Sequence, residues 1–147
     1  MRFFSFPLLT GLLFIACACG AKPADYPHPK AEGGKVIIPL SEVADGKAHF
    51  YTYRAGGKQV NFFVRTADDG TVSAHFDACF TCYKKKKGYR LEDDNLVCNE
   101  CAMTFPLGAK EWDSSQGCSP ILLKSKIEEN RLVIETELLD KGARLFQ

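Results

Sequence analysis

From Val36 onward the apolar residues of this chain recur mostly at every second position. The runs VIIPL (36–40), HFYTYR (49–54), QVNFFVR (59–65) and TVSAHF (71–76) are short, β-branched and aromatic. That alternation predicts strands with one face turned inward. Arg54-Ala55-Gly56-Gly57 and Asp68-Asp69-Gly70 fall between successive runs and predict hairpin turns. A third hairpin is expected from Ile121 to Thr136, turning at Glu129-Asn130. No segment carries a long, capped helical period. The expected fold class is mainly β: a small antiparallel domain with a cysteine-bearing metal-binding loop inserted after its fourth strand.

The pattern before Val36 is of another kind. Arg2 is the only charge in the first twenty residues, Leu8 to Ala18 is apolar, and small residues surround Cys17 and Cys19. A charged start, an apolar stretch too short to span a bilayer comfortably and a small-residue cleavage region make an export signal. Leu13-Phe14-Ile15-Ala16-Cys17 resembles a bacterial lipobox, and Cys19 after Ala16-Cys17-Ala18 fits nearly as well. Residues 1–19 are therefore expected to be a signal peptide whose end carries a lipid on Cys17 or Cys19. Residues 20–34, rich in Pro, Gly and charge, are expected to be a flexible tether, with the β domain at 35–147. The mature protein would face the periplasm or cell exterior, held to the membrane by its acyl chain.

Composition narrows the partners. The formal charge is +1, from 19 basic and 18 acidic residues, and falls to about zero without Arg2. No strong field points to nucleic acid. Phe50, Phe62, Phe63 and Phe76 read as core, and Met103 and Trp112 as packing residues. In TVSAHFDAC, alternation puts Val72, Ala74, Phe76 and Ala78 on one face and His75, Asp77 and Cys79 on the other. His75 is expected at the surface, roughly 13 Å from Cys79 along a straight strand. His28 and His49 point to no site, and no Ser/His/Asp or paired-carboxylate arrangement points to hydrolysis.

The chemistry lies in the cysteines. Cys79-x-x-Cys82 and Cys98-x-x-Cys101 are separated by fifteen residues, the spacing at which two such pairs close on one ion. Each pair puts two sulfurs on one tight turn, and two turns supply four thiolates for a tetrahedral site. Neither pair is followed by His, so covalent haem has no attachment motif. In an exported protein the same cysteines also suit disulfides. Cys118, between Gly117 and Pro120, is open to four roles: fifth ligand, bridging thiolate, resolving thiol or buried side chain. Lys84 to Lys87 follow the first pair directly. They form a solvated loop, or offset the negative charge of a metal held by four thiolates. The segment from Tyr83 to Val97 is too polar to fold on apolar burial alone and is expected to depend on metal.

These blocks resemble the FtrD-like family of membrane-associated iron–sulfur-containing proteins. The resemblance rests on Gln59-Val60-Asn61-Phe62-Phe63-Val64-Arg65, Asp69-Gly70, Phe76-Asp77-Ala78-Cys79 with Cys82-Tyr83, Lys87-Gly88-Tyr89, Val97-Cys98-Asn99 with Cys101, and Gly117-Cys118 with Pro120. It implies an extracytoplasmic protein beside a metal permease or redox membrane protein, linked to ferrous iron uptake. It makes Cys79, Cys82, Cys98, Cys101 and Cys118 the metal-site candidates. Two departures stand near the site: Ala102 where Gly is expected, and Ser119 where Asn is usual. The resemblance implies an iron–sulfur cluster or mononuclear iron, while thiolates also accept zinc and copper(I). A signal that threads an unfolded chain would not carry a finished cluster across the membrane, and a twin-arginine signal is absent. That argument favours a single ion acquired outside.

Two functions therefore compete: a metal-binding or electron-transfer accessory with no catalytic residues, and a thiol–disulfide oxidoreductase cycling its CxxC pairs. The anchor has its own test. Replacing both Cys17 and Cys19 by Ser is expected to release the processed protein from the membrane fraction. A processed double variant that stays fully membrane-bound would exclude the lipid.

Overall fold

The computed structural model describes residues 24–112 and 117–147, so the expected export segment with Cys17 and Cys19 lies outside it. Every strand pair among the described residues is antiparallel, and the mainly β expectation holds. The first sheet has the order β1 (Lys30–Glu32), β2 (Lys35–Pro39), β11 (Arg131–Glu135), β10 (Lys126–Glu128). The second has the order β3 (Ala48–Ala55), β4 (Lys58–Thr66), β5 (Val72–Cys79), β9 (Pro120–Leu123). A third sheet, β6 (Tyr89–Glu92), β7 (Asn95–Cys98) and β8 (Thr104–Pro106), carries the second CxxC pair.

The three expected turns are where the sequence put them. Gly56 and Gly57 both have positive φ, 54° and 86°, between the paired Ala55 and Lys58. That is the left-handed two-residue turn that matches strand twist. Residues 67–71 turn between β4 and β5, with the Ala67 N–H donating to the Thr71 carbonyl at 2.9 Å. Glu129 and Asn130, at φ 47° and 62°, close β10 onto β11. The third hairpin is shorter than expected, because β9 leaves it to pair with β5. A short helix, α1 (Thr136–Gly142), follows β11 and buries Leu139. One apolar turn is too little to register as a period in the sequence.

The core between the first two sheets comes from the inward alternation. Val36 and Ile38 of β2 and Leu132 and Ile134 of β11 meet Val60, Phe62 and Val64 of β4 and Ala74 and Phe76 of β5. The opposite face of the second sheet is also covered. Phe63 joins Tyr89, Leu96, Cys98, Phe105 and Leu107 in a separate apolar cluster beneath the third sheet. β5 is therefore buried on both faces from Ala74 to Cys79.

Three expectations are corrected. Residues 24–34, expected to belong to a flexible tether, are docked. β1 pairs with β2, the Thr52 N–H donates to the Pro27 carbonyl at 3.1 Å, and Asn61 Nδ2 donates to the Ala24 carbonyl at 2.9 Å. β3 is a sheet edge with unpaired backbone groups, and a proline-rich extended segment satisfies one of them without being a strand throughout. The cysteine-bearing insert is more than a polar loop, because it forms its own small sheet with Tyr89, Leu96 and Val97 buried. Counting β1, it follows the fifth strand. His75 is 8% exposed rather than at the surface, because Phe63 and Trp112 pack against its ring.

Arg65 joins the two parts. Its side chain is 1% exposed, and its guanidinium donates to the carbonyls of Leu107 at 2.6 Å, Ala109 at 2.5 Å and Lys110 at 3.1 Å. It also lies 4.0 Å over the Trp112 ring. Replacing Arg65 by Met keeps much of the volume but strands these carbonyls. Urea unfolding is expected to show a loss of about 3 kcal/mol, with Arg65→Lys recovering only part because one ammonium cannot span three acceptors. A loss below about 1 kcal/mol would show that the carbonyls find water instead.

Candidate metal centre

Cys79 is the last residue of β5, and Cys98 is the last residue of β7. The sequence places each CxxC turn where a strand runs out, so the first sulfur of each pair is buried and the second stands further out. Cys79 and Cys98 are 3% and 2% exposed, Cys82 is half-buried and Cys101 is exposed. The four Sγ atoms lie within 4.8 Å of one another. Cys118 Sγ sits outside that set, 3.4 Å from Cys101 Sγ and 4.0 Å from Cys82 Sγ. All five cysteines among the described residues therefore share one locality.

The turns are held by backbone bonds. The Cys98 N–H donates to the Met103 carbonyl, and the Ala102 N–H donates back to the Cys98 carbonyl, both at 3.0 Å. Ala102 has φ 58°, the left-handed conformation in which glycine would be unstrained, at the position where the sequence departs from the expected Gly. The Cys118 segment is tied to the first pair. The Phe80 N–H donates to the Ser119 carbonyl at 3.0 Å, and the Thr81 hydroxyl donates to the Gly117 carbonyl. The pairing of β5 with β9 shifts register between His75 and Cys79, which brings Cys79 opposite Pro120.

Below the sulfurs, the two apolar layers supply polar support. Asp77 accepts from the Tyr89 N–H at 2.7 Å. Gly88 makes that approach feasible: its φ is 60°, and a Cβ there would stand 2.6 Å from both Asp77 oxygens. Burial pushes the Asp77 carboxyl up to about 6, against the opposing effect of the Tyr89 N–H. His75 does not join the sulfurs. Its ring stacks on Phe63 at 5.4 Å and lies 4.9 Å from Trp112, and burial, then the Arg65 charge, lowers its pKa to about 4.

Tyr89 is the residue that sequence reasoning did not single out chemically. Its hydroxyl is buried with no hydrogen-bond partner, yet it is near enough to Cys79 for each to alter the other's ionisation. Burial, then the charge of Cys79, pushes the Tyr89 phenol far up, so it remains a neutral donor. Burial also opposes ionisation of Cys79. The N–H groups of Cys82 and Thr81 and the Tyr89 hydroxyl outweigh it and bring that thiol below its ordinary value. Burial raises the Cys98 thiol, and burial with Cys101 and Cys79 alongside raises Cys82 well above its usual range. Only its place in the block Lys87-Gly88-Tyr89 marked Tyr89 in advance.

Four of these sulfurs lie close enough together to hold one metal ion, with the fifth beside them. The family described as membrane iron–sulfur containing protein, FtrD-like, matches residues 43–146. The chain belongs to the FtrD-like family. No curated protein matches it. A crystal structure of the quaternary ammonium Rieske monooxygenase CntA, in complex with an inhibitor, has a TM-score of 0.45 to it at 18% identity. The match covers 71% of this chain and 32% of that one, and a likeness at that level carries no argument.

The donor set fits what an FtrD-like protein implies. Four cysteine thiolates serve an iron–sulfur cluster or one tetrahedral ion. On one ion, bonds of about 2.3 Å put the sulfurs about 3.8 Å apart, so separations up to 4.8 Å need only a small contraction. The Tyr89 hydroxyl, which already favours the Cys79 thiolate, would then support a metal-bound sulfur. Tyr89→Phe is expected to leave the metal-free protein within about 1 kcal/mol of its original stability, because the contact of the hydroxyl with Cys79 is all that is removed. Metal affinity in chelator competition should fall. A destabilised metal-free variant with unchanged affinity would make the hydroxyl purely structural.

Proposed function

We propose that this FtrD-like chain is an exported lipoprotein, anchored through Cys17 or Cys19, that holds iron on cysteine thiolates as an accessory of an iron-uptake system. Its partners would be a metal permease or a redox membrane protein in the same membrane. The observation that carries this is the clustering of Cys79, Cys82, Cys98 and Cys101 within 4.8 Å at the ends of two strands, with Cys118 beside them. Among the described residues no helix is long and apolar enough to cross a membrane. A lipid on the export segment accounts for membrane association without one.

When bound, the iron supplies a one-electron couple or a cargo ion. The chain's residues do the rest. Cys79 and Cys98 anchor the centre from buried positions, Cys82 and Cys101 complete it from the outer side, and Tyr89 offers a donor to the inner sulfurs. A cleft of about 400 Å³, lined by Tyr26, Asp77, Cys82, Tyr83 and Lys87, gives a route to the sulfurs from one side. The dithiol-enzyme reading lacks support of the same kind. Cys82 is followed by a three-residue 3₁₀ turn at Tyr83–Lys85 rather than by the helix whose N-terminus activates such thiols.

Metal analysis with optical and electron-paramagnetic spectra, on the exported full chain purified without oxygen, tests the proposal. One iron-containing thiolate centre per chain is expected, abolished in Cys98→Ser. A metal-free protein whose four cysteines are paired as reducible disulfides would overturn it and favour the oxidoreductase.

A further inference from the structure

The five sulfurs outnumber the positions on one tetrahedral ion, and their burial divides them unequally. Cys79 and Cys98 are fixed at strand ends and almost fully buried. Cys101 is exposed and Cys118 half-buried, and their sulfurs are 3.4 Å apart, inside the separation at which two thiolates share an ion. Cys118 is also 4.0 Å from Cys82. Its place is not accidental, because bonds from Phe80 and Thr81 hold Gly117 and Ser119 on either side of it against the first CxxC turn.

We propose that Cys101 and Cys118 are interchangeable ligands, which makes the fourth coordination position an exchange site through which the ion enters and leaves. This rests on the metal–thiolate reading and adds to it a function, handing a thiolate-bound cation to a partner. As the bond from the ion to Cys118 Sγ forms, the bond to Cys101 Sγ breaks. The proton leaving the Cys118 thiol passes to the departing Cys101 sulfur across their contact. No electron moves and no net charge is gained or lost, so the swap needs no further reactant. A partner's thiolate arriving at the exposed side finds an ion that already exchanges its outer ligand, while Cys79, Cys82 and Cys98 keep hold of it. The four CxxC cysteines, equivalent by spacing in the sequence, are not equivalent here.

Cadmium-113 magnetic resonance of the reduced full chain, with Cd²⁺ alone as the probe, reads the number of bound sulfurs. Four are expected in the parent protein. Cys101→Ser and Cys118→Ser should each retain four, because the remaining partner fills the position. The double variant should drop to three, and Cys98→Ser should drop to three although Cys118 is present. Three sulfurs in Cys101→Ser, with four in the parent, would overturn the exchange while leaving the metal centre intact. Four sulfurs in Cys98→Ser would overturn it too, since any four cysteines would then suffice. Failure of the parent to bind Cd²⁺ through four sulfurs would refute the metal–thiolate reading itself. Circular dichroism checks that each variant is folded.

Discussion

β5 is buried on both faces, and the site depends on that. One face, Ala74, Phe76 and Ala78, completes the core between the two larger sheets. The other carries His75, Asp77 and Cys79 into the layer beneath the small third sheet. Because side chains alternate strictly along a strand, the position of Cys79 is set by the packing of its neighbours. A slip of one residue would put Ala78 or Phe80 at the sulfur position and turn Cys79 toward the sandwich core. The cysteine cluster inherits its precision from a hydrophobic register.

That dependence explains what was legible beforehand. The strands, three turns and the pairing of the two CxxC motifs could be read from alternation, from Gly56-Gly57 and Glu129-Asn130, and from a fifteen-residue spacing. The face of β5 carrying His75, Asp77 and Cys79 was read correctly as a face, but its environment was not. Alternation says which residues point together and says nothing about what arrives later in the chain to cover them. The cover is the third sheet, whose strands of three and four residues are too short for a clear period. Its buried members in that segment, Tyr89, Leu96 and Val97, flank the charged stretch Arg90 to Asp94, which is why the segment looked too polar to fold.

The docked residues 24–34 illegibly combine proline, glycine and charge, the composition of a linker. What holds them is not their own pattern but the edges of β2 and β3, together with Thr52 and Asn61, buried polar side chains that bond each other at 2.8 Å. The Tyr26 N–H donates to Thr52 Oγ1 at 2.9 Å, and the Tyr26 ring lies 5.0 Å from Phe50. Tyr26 and Ala24 also line the cleft beside the sulfurs, so this segment forms one wall of the approach to the centre.

The electrostatics of the centre are likewise decided by burial. Four thiolates on a divalent ion leave a charge of about −2, and the run from Lys84 to Lys87 lies close by in sequence. All four lysines are exposed, and Lys87 is engaged with Glu100 at 2.7 Å. Ammonium groups in water are screened within about 8 Å at physiological salt, so they do little for the buried sulfurs. The N–H groups of Cys82 and Thr81 and the Tyr89 hydroxyl act at close range in a poorly polarisable interior, where the same partial charges count for more. Asp77 adds little opposing charge there at lower pH, since burial holds its carboxyl up to about 6. Stabilisation of the thiolates is therefore internal. The lysines act outward, on whatever acidic surface approaches the exposed side of the centre, where they govern encounter more than affinity.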